Sequence, residues 1–277
     1  MSILKIFLSP LLIVFFLFSL AQAQSAPGIM LEPLRIEIRD GHRYAKVTIL
    51  NQSNVEPVVY NISTVTLRMN EEGALYEPEV PTKREVLTKS MIRFSPRTAR
   101  LDPSGSQSVR IAIRKPPNLP DGEYMTYLRV GPLDTPETFK NAKQLPATAS
   151  SMTIKMQVGM RIPVIIYQGP STTKSAVTAA RLTYSEEGQP FIDLKLKRTG
   201  NRSSYIGTSV YSVINGEKKL IAHKRRTVTY FPLTSRTLTL PITESSFKGG
   251  TVLVELNDFN DKEKKVIDSR EFSFDRQ

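Results

Sequence analysis

From Met152 to Val164 the chain alternates without a break. Met152, Ile154, Met156, Val158, Met160, Ile162 and Val164 are interleaved by Thr153, Lys155, Gln157, Gly159, Arg161 and Pro163. Side chains along a strand point to opposite faces in turn, so this period of two predicts one long β-strand with a continuous apolar face. Strands usually run about 5 or 6 residues. A strand this long has more apolar face than one partner sheet of ordinary size covers. If it lies at a sheet edge, its unpaired backbone groups and alternate side chains are a means of adding a strand to another protein.

The first residues read as a secretory signal over 1–23. Lys5 precedes an apolar stretch from Ile6 to Leu20, and Ala21-Gln22-Ala23 places the cut before Gln24. An uncleaved anchor is the alternative. Cleavage leaves 254 of the 277 residues, enough for two domains that each bury a core. The chain has no cysteine, so disulfide-stapled folds and thiolate metal sites are excluded and stability must come from burial. Its formal charge of +12 falls to +11 without Lys5. An exported chain meets no nucleic acid. The densest basic runs, Lys218-Lys219 to Arg226 and Lys262 to Lys265, therefore read as solvated faces, or as docking surfaces for an acidic partner or membrane.

The organisation is all-β. Pro33 to Arg39 and Arg43 to Leu50 alternate on either side of Asp40-Gly41, which predicts a tight hairpin. Val58 to Met69, Met91 to Phe94, Ser106 to Arg114 and Tyr124 to Val130 follow, separated by Pro, Gly, Asn and Asp. Short strands at this spacing predict an immunoglobulin-like sandwich. Asp134 to Ser151 is expected to be a loop, and Gln168-Gly169-Pro170 a hinge, which divides the mature chain into domains over 24–168 and 169–277. Seven further strand candidates lie between Ala176 and Phe274, so the expected architecture is two β-sandwiches.

Catalytic chemistry has little support. His42 and His223 are the only histidines, and neither has a nucleophile motif nearby. The pairs Glu71-Glu72, Glu186-Glu187 and Asp258 with Asp261 fall in expected turns. No phosphate loop or metal-ligand spacing is present, so neither an enzyme nor a cofactor is expected.

Several segments, in this order and spacing, resemble the periplasmic pilus chaperones of the chaperone–usher pathway. They are Leu31-Glu32-Pro33-Leu34-Arg35-Ile36, Asn51, Phe94-Ser95-Pro96-Arg97 through Arg100-Leu101-Asp102-Pro103, Leu119-Pro120-Asp121-Gly122-Glu123-Tyr124, and the long alternating strand. The second domain is similar in outline, mainly at Leu256-Asn257-Asp258.

The resemblance implies a periplasmic protein built as a boomerang of two immunoglobulin-like domains. Its partners would be pilus or fimbrial subunits and an outer-membrane usher, and the free protein could self-associate through its unpaired strand. Met152, Ile154, Met156, Val158 and Met160 would enter the groove of a subunit that lacks a strand. A basic pair would hold the subunit's terminal carboxylate. Arg35 matches the first position, while the second falls near Pro163, leaving Arg161 as the nearest basic residue or no second anchor. Glu123 and Asp258 match acidic residues at the interdomain contact, whereas Gln168 stands where an arginine is expected. Two alternatives remain open: a pilus subunit or other structural surface protein, and a secreted two-sandwich binding protein, for example for carbohydrate.

Overall fold

A computed structural model describes residues 28–132 and 159–275 of the chain. The expected signal over 1–23, the loop from Asp134 to Ser151 and the strand residues Met152 to Val158 lie outside the described residues.

The first half contains β1 (Ile29–Glu32), β2 (Ile36–Ile38), β3 (Tyr44–Asn51) and β4 (Val58–Val65). A small hairpin of β5 (Arg68–Met69) and β6 (Leu75–Tyr76) follows, then one helix, α1 (Lys83–Met91). The half is completed by β7 (Ile92–Ser95), β8 (Thr98–Leu101), β9 (Ser106–Ile113), β10 (Gly122–Pro132) and β11 (Met160–Gln168). One sheet has the order β1-β3-β9-β7 and the other β2-β11-β10-β4-β8. The orders β1-β3-β9-β7 and β4-β10-β11 reproduce the two sheets of an immunoglobulin-like sandwich. Tyr124, near the start of β10, donates its hydroxyl to the Pro120 carbonyl at 2.8 Å, the tyrosine corner such sandwiches carry. Between the sheets, alternate residues such as Val47, Ile49, Val109, Ile111, Leu128 and Ile162 form one apolar core.

The second half contains β12 (Thr173–Tyr184), β13 (Pro190–Gly200), β14 (Ser204–Ile214), β15 (Glu217–Thr229), β16 (Ser235–Pro241), β17 (Gly250–Asp258) and β18 (Val266–Phe274). Sheets β12-β13-β16 and β15-β14-β17-β18 enclose a separate core that includes Ile192, Leu194, Val210, Val254 and Leu256. Among the described residues no sheet mixes strands from the two halves. The basic run from Lys218 to Arg226 lies on the edge strand β15, where its cations deter pairing with another chain.

Three local expectations are corrected. Asp40-Gly41 does form a turn, but the strands on either side belong to different sheets: β2 runs parallel to β11, while β3 pairs with β1 and β9. Turn chemistry fixes the reversal and leaves the choice of sheet to tertiary packing. The segment from Val58 to Met69 is broken after Val65, and the turn at Asn70 to Gly73 closes the β5–β6 hairpin. Helix α1 was not foreseen. It buries only Thr88 and Met91, too little for a readable apolar stripe, and a reciprocal capping box between Thr82 and Glu85 fixes its start.

Candidate functional site

Strand β11 lies between β10, which it pairs along its whole length, and β2, which covers only Val164 to Ile166. From Met160 to Pro163 the side away from β10 has no strand partner among the described residues. The even positions face the core of the first sandwich: Met160 packs against it half-buried, Ile162 is 1% exposed, and Val164 and Ile166 are fully buried. Met152, Ile154, Met156 and Val158 share that parity in the sequence but lie outside the described residues.

The opposite face of this sheet turns toward the second sandwich. Arg35, immediately before β2, stands on it and makes a 3.0 Å ion pair with Glu37. Its guanidinium carbon lies 4.5 Å from the centre of the Tyr205 ring of β14, so the cation spans the two sandwiches. Arg35 Nη1 is buried with no hydrogen-bond partner among the described residues. Around it Tyr230 packs edge-on against both Tyr127 and Tyr205, with ring centres 6.3 and 6.4 Å apart. Among the described residues the Tyr205 hydroxyl is likewise buried without a partner, whereas the Tyr127 hydroxyl is turned toward that of Tyr230. Burial pushes both phenols well above the usual tyrosine range, and the nearby Tyr230 adds to this. At Tyr205 the Arg35 charge acts in the opposite direction.

Arg161 is placed differently. The β10–β11 register sets Tyr127 opposite Pro163, but Arg161 opposite Arg129, and both arginines are exposed. Among the described residues Arg161 has no ion-pair partner, and it faces a like charge across the ladder, an arrangement that weakens pairing.

A second meeting place of the sandwiches centres on Glu123. Glu123 in β10 is 1% exposed. Its Oε2 accepts the Ser203 backbone N–H at 2.8 Å, and its Oε1 accepts the Ser203 hydroxyl. The Glu123 N–H donates to the Asn201 carbonyl at 3.0 Å. Burial pushes the Glu123 carboxyl above the usual range, against the pull of the Ser203 hydrogen bonds and the charges of Arg202 and Arg198. Arg84 of α1 donates to the Glu123 carbonyl at 2.9 Å and stacks between Tyr124 and Phe231, at 3.8 and 5.1 Å from the ring centres. A bidentate pair from Arg68 to Glu85, at 2.7 and 2.6 Å, ties the hairpin to the helix. The hairpin tip then reaches the second sandwich, where Glu71 accepts the Thr237 N–H at 2.8 Å. Gly73, at φ +88°, leaves no room for a Cβ against the Arg236 guanidinium. Between helix, hairpin and the segment from Tyr230 to Thr234 lies a cavity of about 440 Å³.

Asp258 differs from Glu123. Its carboxylate accepts the Asn260 N–H at 2.8 Å and its own N–H reaches the Lys265 carbonyl, so both partners belong to the second sandwich. The structure thus places Asp258 in a local turn rather than in a bond across the two halves. Sequence reasoning missed Arg84, Tyr127, Tyr205 and Tyr230. Only Arg84 stood beside a readable signal, the capping box at Thr82.

No known protein-family profile matches the chain, and no curated protein matches it. Solved structures of similar fold include the YadV chaperone, at 10% identity over 89% of this chain and 99% of that one, with a TM-score of 0.46. The E. coli chaperone DraB is 14% identical over 91% of this chain and 98% of its own, with a TM-score of 0.45. A CsuC–CsuE chaperone–tip adhesion subunit complex from Acinetobacter baumannii gives 14% identity, 88% and 97% coverage and a TM-score of 0.45.

Proposed function

We propose that the protein is a periplasmic chaperone of the chaperone–usher type that binds pilus or fimbrial subunits by lending them a β-strand and delivers them to an outer-membrane usher. The observation that carries this reading is the state of β11. Its core-facing row continues in phase with the sequence alternation that begins at Met152, and among the described residues its backbone edge lacks a strand partner from Met160 to Pro163. A subunit missing a strand exposes a hydrophobic groove and unpaired backbone groups, and such a row supplies both needs. Each apolar anchor among Ile154, Met156 and Val158 would contribute about 1.5–3 kcal/mol before association costs. Methionine suits a lender with several clients, because its flexible thioether fills grooves of differing shape.

In this reading Arg35 holds the subunit's terminal carboxylate. Its planar fork matches a carboxylate, and its buried Nη1 has a donor to give. Glu123 fixes the relation of the two sandwiches. The protein catalyses no reaction; it works by binding.

Hydrogen exchange measured with and without a subunit tests the reading. Amides from Ser151 to Met160 gain protection on binding if the strand is lent, and unchanged protection there rules lending out. In parallel, Arg35→Ala weakens capture of an intact subunit by about 2–4 kcal/mol and has no effect on a subunit trimmed of its terminal residues. Equal capture of the intact subunit by wild type and variant removes the anchoring role.

A further inference from the structure

A native chain rarely buries a hydrogen-bond donor without an acceptor, so several such donors near one another call for an explanation. Arg35 Nη1, the Tyr205 hydroxyl and Arg202 Nε are three of them. Arg202 lies in the turn between β13 and β14, next to Ser203, which bonds Glu123 across the seam. Both Glu123 oxygens are taken by Ser203, and among the described residues no carboxylate forms an ion pair with Arg202. Tyr205 is 6% exposed, and the Arg35 guanidinium stands 4.5 Å from the centre of its ring. Arg202 and Tyr205 also line one cavity of about 790 Å³, which bears Lys174, Lys197 and Lys265 against a single acid, Asp258. Two residues of this positive cavity, Arg202 and Tyr205, thus carry donors without acceptors, an arrangement suited to an anion, and Arg35 adjoins it by covering the Tyr205 ring.

We infer that Arg202 and the Tyr205 hydroxyl join Arg35 in a carboxylate clamp at the seam between the sandwiches, with Arg202 supplying the second cation that the sequence resemblance sought at Arg161. The inference rests on the proposed reading of this seam as the seat of a subunit's terminal carboxylate. Arg161 is poorly suited to the task, being exposed and opposite Arg129. Arg202 brings a fork from the second sandwich while Arg35 brings one from the first. A carboxylate held by both would bond across the seam, so seating the ligand also ties the two halves together. Tyr205, whose ring Arg35 covers and which shares a cavity with Arg202, is a positioning residue that donates one further hydrogen bond.

The test uses the full mature chain and three short, N-acetylated, alternating apolar peptides: one with a free terminal carboxylate, its terminal amide, and the amide with one glutamate near its end. Affinity is measured together with the Nε–Hε NMR signals of Arg35 and Arg202. The free acid is expected to shift both arginine signals in the wild-type protein, and the plain amide neither. Arg202→Gln should weaken free-acid binding about tenfold, a loss of about 1.4 kcal/mol, and leave amide binding unchanged; Tyr205→Phe should do the same to a smaller degree. If the free acid shifts Arg35 alone and Arg202→Gln binds it like wild type, the clamp is overturned while the anchoring role of Arg35 stands. If neither Arg202→Gln nor Arg35→Ala changes the preference for acid over amide, both readings fall. Equal binding of the glutamate amide and the free acid overturns the terminal position of the carboxylate. The signal shifts are read in the wild-type chain, so a variant that fails to fold still leaves the clamp open to refutation.

Discussion

The two sandwiches meet in two places built on opposite principles. Around Glu123 both carboxylate oxygens and the backbone N–H bond to the second sandwich, Arg84 bonds the Glu123 carbonyl, and a helix and hairpin reinforce them. Around Arg35 and Tyr205 two buried donors, Arg35 Nη1 and the Tyr205 hydroxyl, have no acceptor among the described residues, and the Arg35 side chain is 30% exposed. Paired buried polar groups rigidify a seam, whereas unpaired ones cost stability and persist where a function needs them. The first place therefore acts as a brace, and in the proposed reading the second holds a subunit's carboxylate.

Removing Glu123 should have the largest effect on that contrast. Glu123→Ala strands the Ser203 N–H and hydroxyl in a buried site, and the expected loss is about 2–3 kcal/mol, read as a lower urea midpoint. A midpoint shift no larger than that of an exposed carboxylate control would contradict the brace. Arg84→Ala comes next, at about 1–2 kcal/mol, because it removes one hydrogen bond and a cation stacked between two rings. The same melts should show hairpin and helix loosening first, seen as hydrogen exchange rising in α1 before the cores.

Acidity offers a subtler probe of the same place. The folded Glu123 carboxyl titrates above its unfolded value, so the folded state favours the proton. Its contribution is fully present below the ordinary glutamate range, near pH 4.3, and is lost as pH rises through the raised value. Asp40 and Glu85, whose carboxyls are held low by Lys115 and Arg68, contribute with the opposite sign and lose their stabilisation in acid. Subtracting the Glu123→Gln profile from wild type isolates the first term, and the difference should decline with rising pH. A difference that is flat, or that grows with pH, would show the carboxyl to be ionised at no cost. The smallest effect belongs to the seat: Arg35→Ala should move the melting midpoint by no more than a degree or two, since the residue's one ion pair, with Glu37, joins two partly exposed side chains.

Much of the scaffold could be read from the sequence because period-two alternation is a local signal. It marks β3, β9 and β10 as well as the described part of β11, and most strands of the second sandwich. What it missed has physical causes. The strands β1 and β8 are four residues each, too short for a period to establish itself. Helix α1 is polar nearly all round, and its capping box was the only mark it left. The seat was half legible: Arg35 stood in a recognisable segment, but Tyr205 and Arg202 acquire their meaning only when the second sandwich folds against the first. Arg161 looked like an anchor because it is near in sequence; its side chain sits beside Arg129, two residues along the strand from the position facing Tyr127.

The central claim is that one strand serves two masters, its later part completing the protein's own core and its earlier part completing a subunit. Capture of a pilus subunit by Met156→Asp and Ile162→Asp, measured beside circular dichroism melts of the free proteins, tests this most directly. Ile162 is a fully packed core residue, and a buried unpaired charge there should destabilise the first sandwich by more than about 4 kcal/mol. Met156→Asp should melt like wild type and capture nothing, because the charge would have to be desolvated in the subunit's groove. A Met156→Asp protein that captures subunits at the wild-type level, or that unfolds as readily as Ile162→Asp, would contradict the account.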